Sequence, residues 1–599
     1  MKMLVAAGLL GAASILGIAA ASGAGSDMNW AYNGGPTGDH YAPLRQITPS
    51  NVGRLKEVWR YEMPAGGLQA QPIMIGHTLY AVTTQRALAA VDATTGKQTW
   101  LFDPKLPGLQ PIRGLSSWSD KGKLRIVFGN QTFLYMIDAE TGQPVASFGD
   151  NGHIDARANL RGPAENNAIY LTAPITVYKD LLIVSGRLAE NAPASPGDVR
   201  AFDAHTGKLV WTFHTIPHPG EVGAETWPAN ASVDQGGANA WSGSSVDVER
   251  GVVFVNTGSA ADDFYGVNRP GDNRFANSTI ALDANTGKRI WDFQQVHHDV
   301  WDSDSTSAPI LTQITRFGRK MDVAVATNKQ SFIYVFDRAT GKPVFPIEEK
   351  PFPKSNVPGE VTSPTQPVPT LPKPLSRRTI TLADLNNTTP EINAEARAAY
   401  AELYGAGGEF VPIGLNQNTL VVPGFGGGNE WGGMAADRKG TIYAAVSNTA
   451  SLTKLQPNPR LVPGYKDPGP SDQNGYPNLA YAFTGYGGWR LKSGANPFSA
   501  PVATLNAVDL NTGQYRWTIP FDLASNGGPA VTEGGLLFIG ASGSLQAFDT
   551  RNGKLLFESK LPATAGLTPA VYMVNGKEYV ALASAGRGTS AYVAYALPD

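Results

Sequence analysis

The segment VHHDVWDSD, residues 296–304, contains aspartates that could take part in acid–base chemistry. A carboxylate such as Asp302 can act as a general base that takes the proton of a hydroxyl group. The pair Glu190–Asn191, in the segment IVSGRLAEN, offers a carboxylate and an amide oxygen, which are the ligand types that Ca²⁺ prefers. The alternative for both segments is an ordinary solvated loop with polar side chains.

Three further residues could hold a planar anion. Trp241 lies in GGANAWSG, ahead of the apolar run GVVFV, and an indole offers a flat apolar surface to a ring system. Arg113, at the start of RGL, and Lys329, ahead of SFIYVFD, are cations that pair well with carboxylates. The alternatives are a tryptophan that packs between repeat units and two solvated surface charges.

The composition excludes several classes of protein. With 48 basic and 50 acidic residues the net charge is -2, which argues against a basic nucleic-acid-binding surface and against an acidic disordered chain. The 42% of hydrophobic residues and 16% of charged residues allow a large core. Because there is no cysteine, disulfides, thiolate metal sites, iron–sulfur clusters and a Cys-x-x-Cys-His haem attachment are excluded.

One sequence motif, called the repeat or docking phrase below, recurs along the chain. It predicts the secondary-structure elements that must position these residues. An apolar run is followed by Asp-x-x-Thr-Gly, with an aromatic residue eight positions after the aspartate. The Asp and Thr side chains can bond turn amides, and Gly can adopt positive φ, so each copy predicts a hairpin whose aromatic residue docks on a neighbouring unit. The seven copies, two of them imperfect, begin at Asp92, Asp138, Asp203, Asp283, Asp337, Asp509 and Asp549.

The spacing of the copies predicts a β-propeller. Intervals of about 40–50 residues suit one four-stranded antiparallel blade, and a closed ring leaves no free sheet edge. The long interval from Asp337 to Asp509 predicts a degenerate blade, with Trp431–Val446 as its hairpin. We therefore expect an all-β, eight-bladed propeller with loop insertions, one at about residues 346–420 that contains a helix capped by Thr389. A pair of β-sandwiches is the alternative.

The first 24 residues predict a signal peptide. Lys2 precedes an apolar run, and small residues at Ala19–Ala21 and Ser22–Ala24 fit a cleavage site. The alternative is an uncleaved anchor helix. No comparable apolar run follows, so the prediction is a periplasmic protein with one propeller domain over residues 27–599 and no membrane span in the mature chain.

The docking phrase, the opening segment Trp30–Trp59 and VHHDVWDSD resemble the pyrroloquinoline-quinone (PQQ) dehydrogenases. The opening segment and VHHDVWDSD look most like the periplasmic catalytic domain of membrane-bound glucose and quinate dehydrogenases. The resemblance implies an eight-bladed propeller that binds PQQ and Ca²⁺, with a lanthanide not excluded. Pro107–Gly108 stands where alcohol-type members carry a vicinal cysteine pair, which the sugar-type members also lack.

The resemblance also implies roles for individual residues. Asp302 matches the catalytic base and Lys329 a catalytic cation that touches the quinone oxygens. Gln69 stands where many relatives place a glutamate, and Ser259 where alcohol-type relatives place a metal-binding asparagine. The implied PQQ-binding residues are Gln69, Arg113, Thr172, Ser185, Trp241, Lys329, Asn429, Glu430 and Asn526, and the implied metal ligands are Glu190, Asn191, Asp302 and Asp304.

The function implied by this resemblance is oxidation of a hydroxyl group in a sugar, polyol or cyclic hydroxy acid by hydride transfer to PQQ. Since the chain cannot attach its own haem, we expect the electrons to pass to a separate acceptor, a quinone or cytochrome c. The alternatives are a dehydrogenase for simple alcohols, a non-catalytic propeller scaffold, and a decayed enzyme that keeps the fold without PQQ.

Overall fold

Short antiparallel β-strands make up most of the regular structure. The computed structural model describes residues 27–35, 37–108, 110–464, 466, 479–521 and 527–599, so the predicted signal peptide lies outside the described residues. Within these ranges, no helix combines the length and the apolar character needed to cross a membrane.

Eight sheets of the described residues, numbered here in chain order, carry the repeat or join the chain ends. Sheets 1 to 4 are four-stranded, and each strand pairs with the next one along the chain. Their strands are Ile73–Ile75, Thr78–Val82, Leu88–Asp92 and Gln98–Phe102; Ser116–Asp120, Lys123–Asn130, Phe133–Asp138 and His153–Asp155; Thr176–Tyr178, Leu181–Val184, Val199–Asp203 and Leu209–Phe213; and Ser244–Asp247, Val252–Asn256, Ser278–Asp283 and Arg289–Gln294.

Sheets 5 to 8 vary this pattern. Sheet 5 has three strands, and sheets 7 and 8 each have five. Their strands are Ile310–Arg316, Arg319–Thr327 and Ile333–Asp337; Ala435–Ala436, Thr441–Ser447, Ala503–Asp509 and Gln514–Phe521; Ala530–Thr532, Leu536–Ala541, Ser544–Asp549 and Leu555–Lys560 with Tyr41–Ala42; and Ala565–Gly566, Ala570–Val574, Lys577–Ala585 and Ser590–Ala596 with Lys56–Met63.

The recurring turn has the predicted hydrogen bonds. In the first copy, Oδ1 of Asp92 accepts bonds from the amides of Thr94 and Thr95 at 3.0 and 2.8 Å. Gly96 follows with a φ of 73°, a conformation that costs glycine little. The turn therefore closes each hairpin with local bonds and leaves the strand after it to carry the docking residue.

The docking residues join successive sheets. The indole of Trp100 in sheet 1 donates to the carbonyl of Ala139 in sheet 2 at 3.1 Å. A Cβ on Gly142 would lie 2.6 Å from that indole, so the turn glycine also permits this close approach. The other tryptophans that donate to the residue after a repeat aspartate are Trp59, Trp211, Trp291 and Trp517.

The prediction of a degenerate blade around Trp431–Val446 is wrong about its location. The strands within Trp431–Val446 pair inside sheet 6, which also contains the Asp509 copy, so they form no separate blade. Sheet 8 is the unit without a repeat phrase: its outer strand Lys56–Met63, from the N-terminal part, pairs with Ser590–Ala596 near the C-terminus. The repeat search missed this sheet because strands from two ends of the chain do not share one turn.

Smaller elements lie in the chain between sheets 5 and 6 and between the second and third strands of sheet 6. Helix Pro390–Ala401 forms as predicted, and Thr389 caps it by accepting the amide of Ile392 at 3.3 Å. The remaining strands form three small sheets: Ile347–Pro351 with Thr365–Pro369, Thr419–Val421 with Ser451–Thr453 and Gly487–Gly488, and Leu455–Pro457 with Tyr481–Phe483. Elsewhere in the described residues, the helices are Ala231–Asp234 and the 3₁₀ turns Val52–Arg54, Ala164–Asn166, Ala224–Thr226, Gly405–Gly407 and Pro459–Leu461.

Candidate active site

The order of strands in each sheet explains why distant residues meet. In an antiparallel sheet the first strand begins, and the second strand ends, at the same end of the sheet. Trp241 and Arg113 precede the first strands of sheets 4 and 2, whereas Glu190 and Lys329 follow the second strands of sheets 3 and 5. All four residues therefore lie on loops at one end of their sheets.

These loops enclose a cavity of about 300 Å³. Of the predicted site residues, seven line this cavity: Gln69, Arg113, Glu190, Trp241, Asp304, Lys329 and Glu430. Asp302 is not among the lining residues, but it accepts a hydrogen bond from Lys329, which is one of them. Thr172, Ser185, Asn191 and Asn429 are described but are not among the residues that line it, and Asn526 lies outside the described residues.

Lys329 joins the two predicted catalytic or metal-binding aspartates. Its Nζ lies 2.5 Å from Oδ1 of Asp302 and 2.9 Å from Oδ2 of Asp304. The other oxygen of Asp304 accepts the amide of Ser259 at 2.7 Å. The three charged side chains are almost fully buried, so the ion pairs are poorly screened by solvent.

Carboxylates outnumber cations around Lys329. Burial and the carboxylates of Asp304 and Glu190 raise the pKa of Asp302 well above its usual range, although Lys329 opposes the shift. Burial and the carboxylate of Asp302 likewise raise the pKa of Asp263, a residue that also lines the cavity. The carboxylates raise the pKa of Lys329 despite its burial. A hard cation among these oxygens would relieve their repulsion.

Glu190 is held by two partners. Its Oε1 lies 3.1 Å from the guanidinium of Arg187, and its Oε2 accepts the hydroxyl of Tyr486 at 2.6 Å. Tyr486 belongs to the segment between the small strands Tyr481–Phe483 and Gly487–Gly488, and is therefore supplied by a distant part of the chain. These contacts fix the carboxylate at the wall of the cavity.

The indole of Trp241 forms an aromatic wall of the cavity. Residues predicted to bind PQQ hold the backbone at and next to Trp241. The hydroxyl of Thr172 donates to the carbonyl of Trp241 at 3.0 Å, and Arg113 donates to the same carbonyl at 3.3 Å. Ser185 accepts the amide of Ala240 at 3.1 Å, next to Trp241. Thr172 and Ser185 thus support the wall in this structure and do not face the cavity directly.

The polar atoms around the cavity suit a planar polycarboxylate. Among the described residues, Oε1 of Gln69, Nε of Arg113, Nε1 of Trp241 and Oδ1 of Asn429 are buried without a hydrogen-bond partner. Buried polar groups normally have a partner, so the atoms of Gln69, Arg113 and Trp241, which line the cavity, are available to a ligand. Burial lowers the pKa of Arg113 to about 10, which leaves its guanidinium positively charged at neutral pH. The two donors, Nε of Arg113 and Nε1 of Trp241, suit the carboxylates of PQQ, and the indole suits its ring system. The carboxylate oxygens around the cavity are of the ligand type that Ca²⁺ prefers.

Sequence reasoning missed several residues of the site. Asp263 lies four residues after Ser259, in the segment NTGSAADD, and is not among the predicted metal ligands. The separation of Tyr486 and Glu190 by 296 positions gives no sequence signal. Asp299 accepts the amides of Trp301 and Ser303 and so shapes the loop that carries Asp302. Asp299 lies in the segment VHHDVWDSD itself, so a search that weighed every acid of that segment would have found it.

A known protein family matches most of the chain. The family described as "Glucose/ethanol/alcohol dehydrogenase, beta-propeller domain", a PQQ family, matches residues 30–580. The chain is 31% identical to the quinoprotein glucose dehydrogenase of Escherichia coli (strain K12), over 96% of this chain and 79% of the relative. It is 28% identical to the quinate/shikimate dehydrogenase (quinone) of Acinetobacter baylyi (strain ATCC 33305 / BD413 / ADP1), over 95% of this chain and 79% of the relative.

Solved structures agree in fold. The quinohemoprotein alcohol dehydrogenase ADHIIG from Pseudomonas putida HK5 matches with a TM-score of 0.72 at 24% identity, over 95% of this chain and 80% of the other. A europium-containing methanol dehydrogenase matches with a TM-score of 0.70 at 20% identity, over 96% and 99%. Since the family match covers most of the chain, the resemblance inferred from the sequence is confirmed: the chain belongs to the PQQ-dependent dehydrogenases with a β-propeller fold.

Proposed function

We propose that this PQQ-dependent dehydrogenase oxidises the hydroxyl group of a sugar, a polyol or a cyclic hydroxy acid. The observation that carries the proposal is the buried contact of Lys329 with Asp302, beside a cavity with an aromatic wall. The relatives named as glucose and quinate/shikimate dehydrogenases support these substrate classes. A non-catalytic scaffold would not need unpaired polar atoms and surplus carboxylates around one cavity.

Trp241 and the cations would hold PQQ. When bound, PQQ supplies the quinone that accepts the hydride leaving the substrate carbon. Trp241 offers its ring face, and Arg113 offers a charge for the carboxylates of the cofactor. The remaining polar contacts would come from Gln69, Lys329, Asn429, Glu430 and Asn526, with Thr172 and Ser185 supporting the wall.

Asp302 would act as the base. Its carboxylate takes the proton of the substrate hydroxyl while the carbon loses its hydride. Lys329 favours the charged form of Asp302, since its ammonium lies 2.5 Å away. Lys329 also keeps a positive charge where negative charge develops during the reaction, which is the task of a preorganised electrostatic group.

Glu190, Asn191, Asp302 and Asp304 are the proposed ligands of the metal ion, which is Ca²⁺ or a lanthanide. Glu190 and Asp304 line the cavity, as does Asp263, which adds a carboxylate to the set. Ca²⁺ prefers six to eight oxygen ligands, and these residues offer carboxylate and amide oxygens only. The europium in the name of one structural neighbour is a property of that protein.

Three finer features belong to the proposal. The docking contacts support eight blades, because Trp59 of sheet 8 donates to Ala93 of sheet 1 and so links the last sheet with the first. Export to the periplasm rests on the signal peptide predicted over residues 1–24. The electrons would pass to a separate acceptor, a quinone or cytochrome c; "quinone" in the name of one relative supports the former.

Reconstitution of the apo-protein with PQQ and Ca²⁺ tests the proposal. Dye reduction is measured with aldoses, polyols, quinate and short alcohols. The proposal predicts turnover of one of the first three classes at a kcat/KM above that for short alcohols. Preference for short alcohols would favour the alternative of a simple-alcohol dehydrogenase, and PQQ uptake without turnover of any class would contradict the proposed activity.

A further inference from the structure

A second group of metal-ligating side chains lies outside the cavity. His214 directly follows the outer strand of sheet 3, and His218 and Glu221 follow on the same loop. The ligand atoms of these three residues all lie within 4.8 Å of one another. Among the described residues this is the one group of three or more His, Asp or Glu side chains that meets this spacing.

Contacts within the group hold the three residues together. Nδ1 of His214 lies 3.0 Å from Oε1 of Glu221, and the amide of His218 donates to Oε2 of Glu221 at 2.8 Å. The two imidazoles are stacked, with centroids 3.9 Å apart and planes inclined by 9°. His214 is partly buried, whereas His218 and Glu221 are exposed to solvent.

The backbone beneath the group is also fixed. The amide of Glu221 donates to the carbonyl of His218 at 2.9 Å, and Pro217 and Pro219 restrict φ on either side of His218. The amide of Thr215 donates to buried Asp198 at 3.3 Å, and this carboxylate interacts electrostatically with both imidazoles. The loop therefore presents its ligands from an ordered turn, with an acidic residue behind them.

We propose that His214, His218 and Glu221 bind a divalent cation of the Zn²⁺ type. Two imidazole nitrogens and one carboxylate oxygen are a zinc donor set, and the exposed side leaves room for water as a further ligand. Because the two imidazole rings are stacked and nearly parallel, the lone pairs of their nitrogens do not point at one common position. One ring must therefore rotate before both nitrogens can bind the same ion. The exposed ring of His218 can make that rotation without disturbing the core.

The type of ligand atom distinguishes this site from the cavity. Ca²⁺ prefers oxygen ligands, which the acids around Lys329 supply, whereas nitrogen ligands favour Zn²⁺. The loop from His214 to the first strand of sheet 4 also carries Trp241. A cation at this loop would therefore fix the start of the segment whose end forms the aromatic wall of the cavity.

Isothermal titration of the full chain, saturated beforehand with Ca²⁺, tests the site with Zn²⁺ alone. We expect one equivalent to bind, and the affinity to fall by about tenfold or more in His218→Ala and in Glu221→Gln. His77→Ala, which removes another exposed histidine, and Glu190→Gln, which alters the cavity, should bind Zn²⁺ as the unchanged chain does.

Cobalt gives a second, spectroscopic readout, because the absorption of bound Co²⁺ reports its ligands. Co²⁺ held by the two imidazoles should show ligand-field absorption that His218→Ala abolishes and His77→Ala retains. The proposal is overturned if Zn²⁺ shows no saturable binding to the Ca²⁺-saturated chain. It is equally overturned if the His218→Ala and Glu221→Gln variants bind Zn²⁺ as tightly as the His77→Ala control.

Discussion

The ammonium of Lys329, which lines the cavity, lies 2.5 Å from Oδ1 of Asp302, and both side chains are buried. Burial raises the pKa of Asp302, Lys329 lowers it, and the carboxylates of Asp304 and Glu190 raise it again. The lysine is therefore the group that favours a charged, proton-accepting Asp302.

Lys329→Ala should reduce activity and change its pH dependence. Without the ammonium the pKa of Asp302 rises further, so the basic form is present only at higher pH and the acid limb of kcat/KM moves upward. We expect a loss of about a hundredfold at neutral pH in the enzyme saturated with cofactor. Lys320→Ala, an exposed lysine on the strand that leads to Lys329, is the control. If the acid limb of kcat/KM in Lys329→Ala lay at the same pH as in the unchanged chain, the proposed role of this ion pair would be contradicted.

Tyr486→Phe should weaken metal binding without removing a ligand. The change deletes the hydroxyl that donates to Oε2 of Glu190 at 2.6 Å, and loss of a residue that orients a metal ligand costs about tenfold or more in affinity. Titration calorimetry with Ca²⁺ measures the effect. Tyr481→Phe, in the same segment, should leave the affinity unchanged. Equal affinities for the two variants would show that Tyr486 does not position Glu190.

Gly142→Ala should destabilise the contact between sheets 1 and 2. The new Cβ would lie 2.6 Å from the Trp100 ring at a φ of 70°, so the substitution combines a clash with backbone strain. Gly122→Ala is the matched control, because its φ is 82° but no atom lies within 4 Å of its Cβ. We expect unfolding free energies lower by about 3 kcal/mol for Gly142→Ala and about 1 kcal/mol for Gly122→Ala. If chemical denaturation gave the same loss of unfolding free energy for both variants, the contact of Gly142 with Trp100 would not be tight.

Glu578 should make stability fall as pH rises. Burial raises its pKa to about 7, although the amides of Ile47 and Gln46 donate to it. Since the folded state holds the proton more tightly than the unfolded chain, whose glutamate pKa is about 4.3, the unfolding free energy declines from about pH 4 to pH 7 by up to about 3 kcal/mol. Glu578→Gln should flatten this slope in thermal melts, whereas Glu62→Gln, at an exposed position, should not. A slope retained in Glu578→Gln would show that other groups cause it.

The repeat made much of the fold predictable. Each Asp-x-x-Thr-Gly turn is a local structure, so the Asp92 copy and its docking Trp100 could be inferred from spacing alone. The same repeat places loops at one end of the sheets, which is why Trp241 and Lys329 could be noted from their positions ahead of predicted strands, whereas Asp304 was inferred from the family resemblance. Contacts that join distant segments followed no such rule.

Two failures illustrate that limit. Sheet 8 combines Lys56–Met63 with the last strands of the chain, and no repeated turn marks it. Tyr486 reaches Glu190 from an insertion whose path is set by tertiary packing, where Phe483 stacks on Phe264 with centroids 3.8 Å apart. Neither relationship leaves a pattern in the sequence near the residues concerned.

The most direct test of the account is the Asp302→Asn variant loaded with PQQ and Ca²⁺. Asparagine keeps the size of the side chain but cannot take a proton, so the account predicts PQQ uptake close to that of the unchanged chain and substrate oxidation slower by about a hundredfold or more. Both quantities are measured on one sample, by cofactor absorbance and by dye reduction. Full activity in this variant would contradict the assignment of Asp302 as the base.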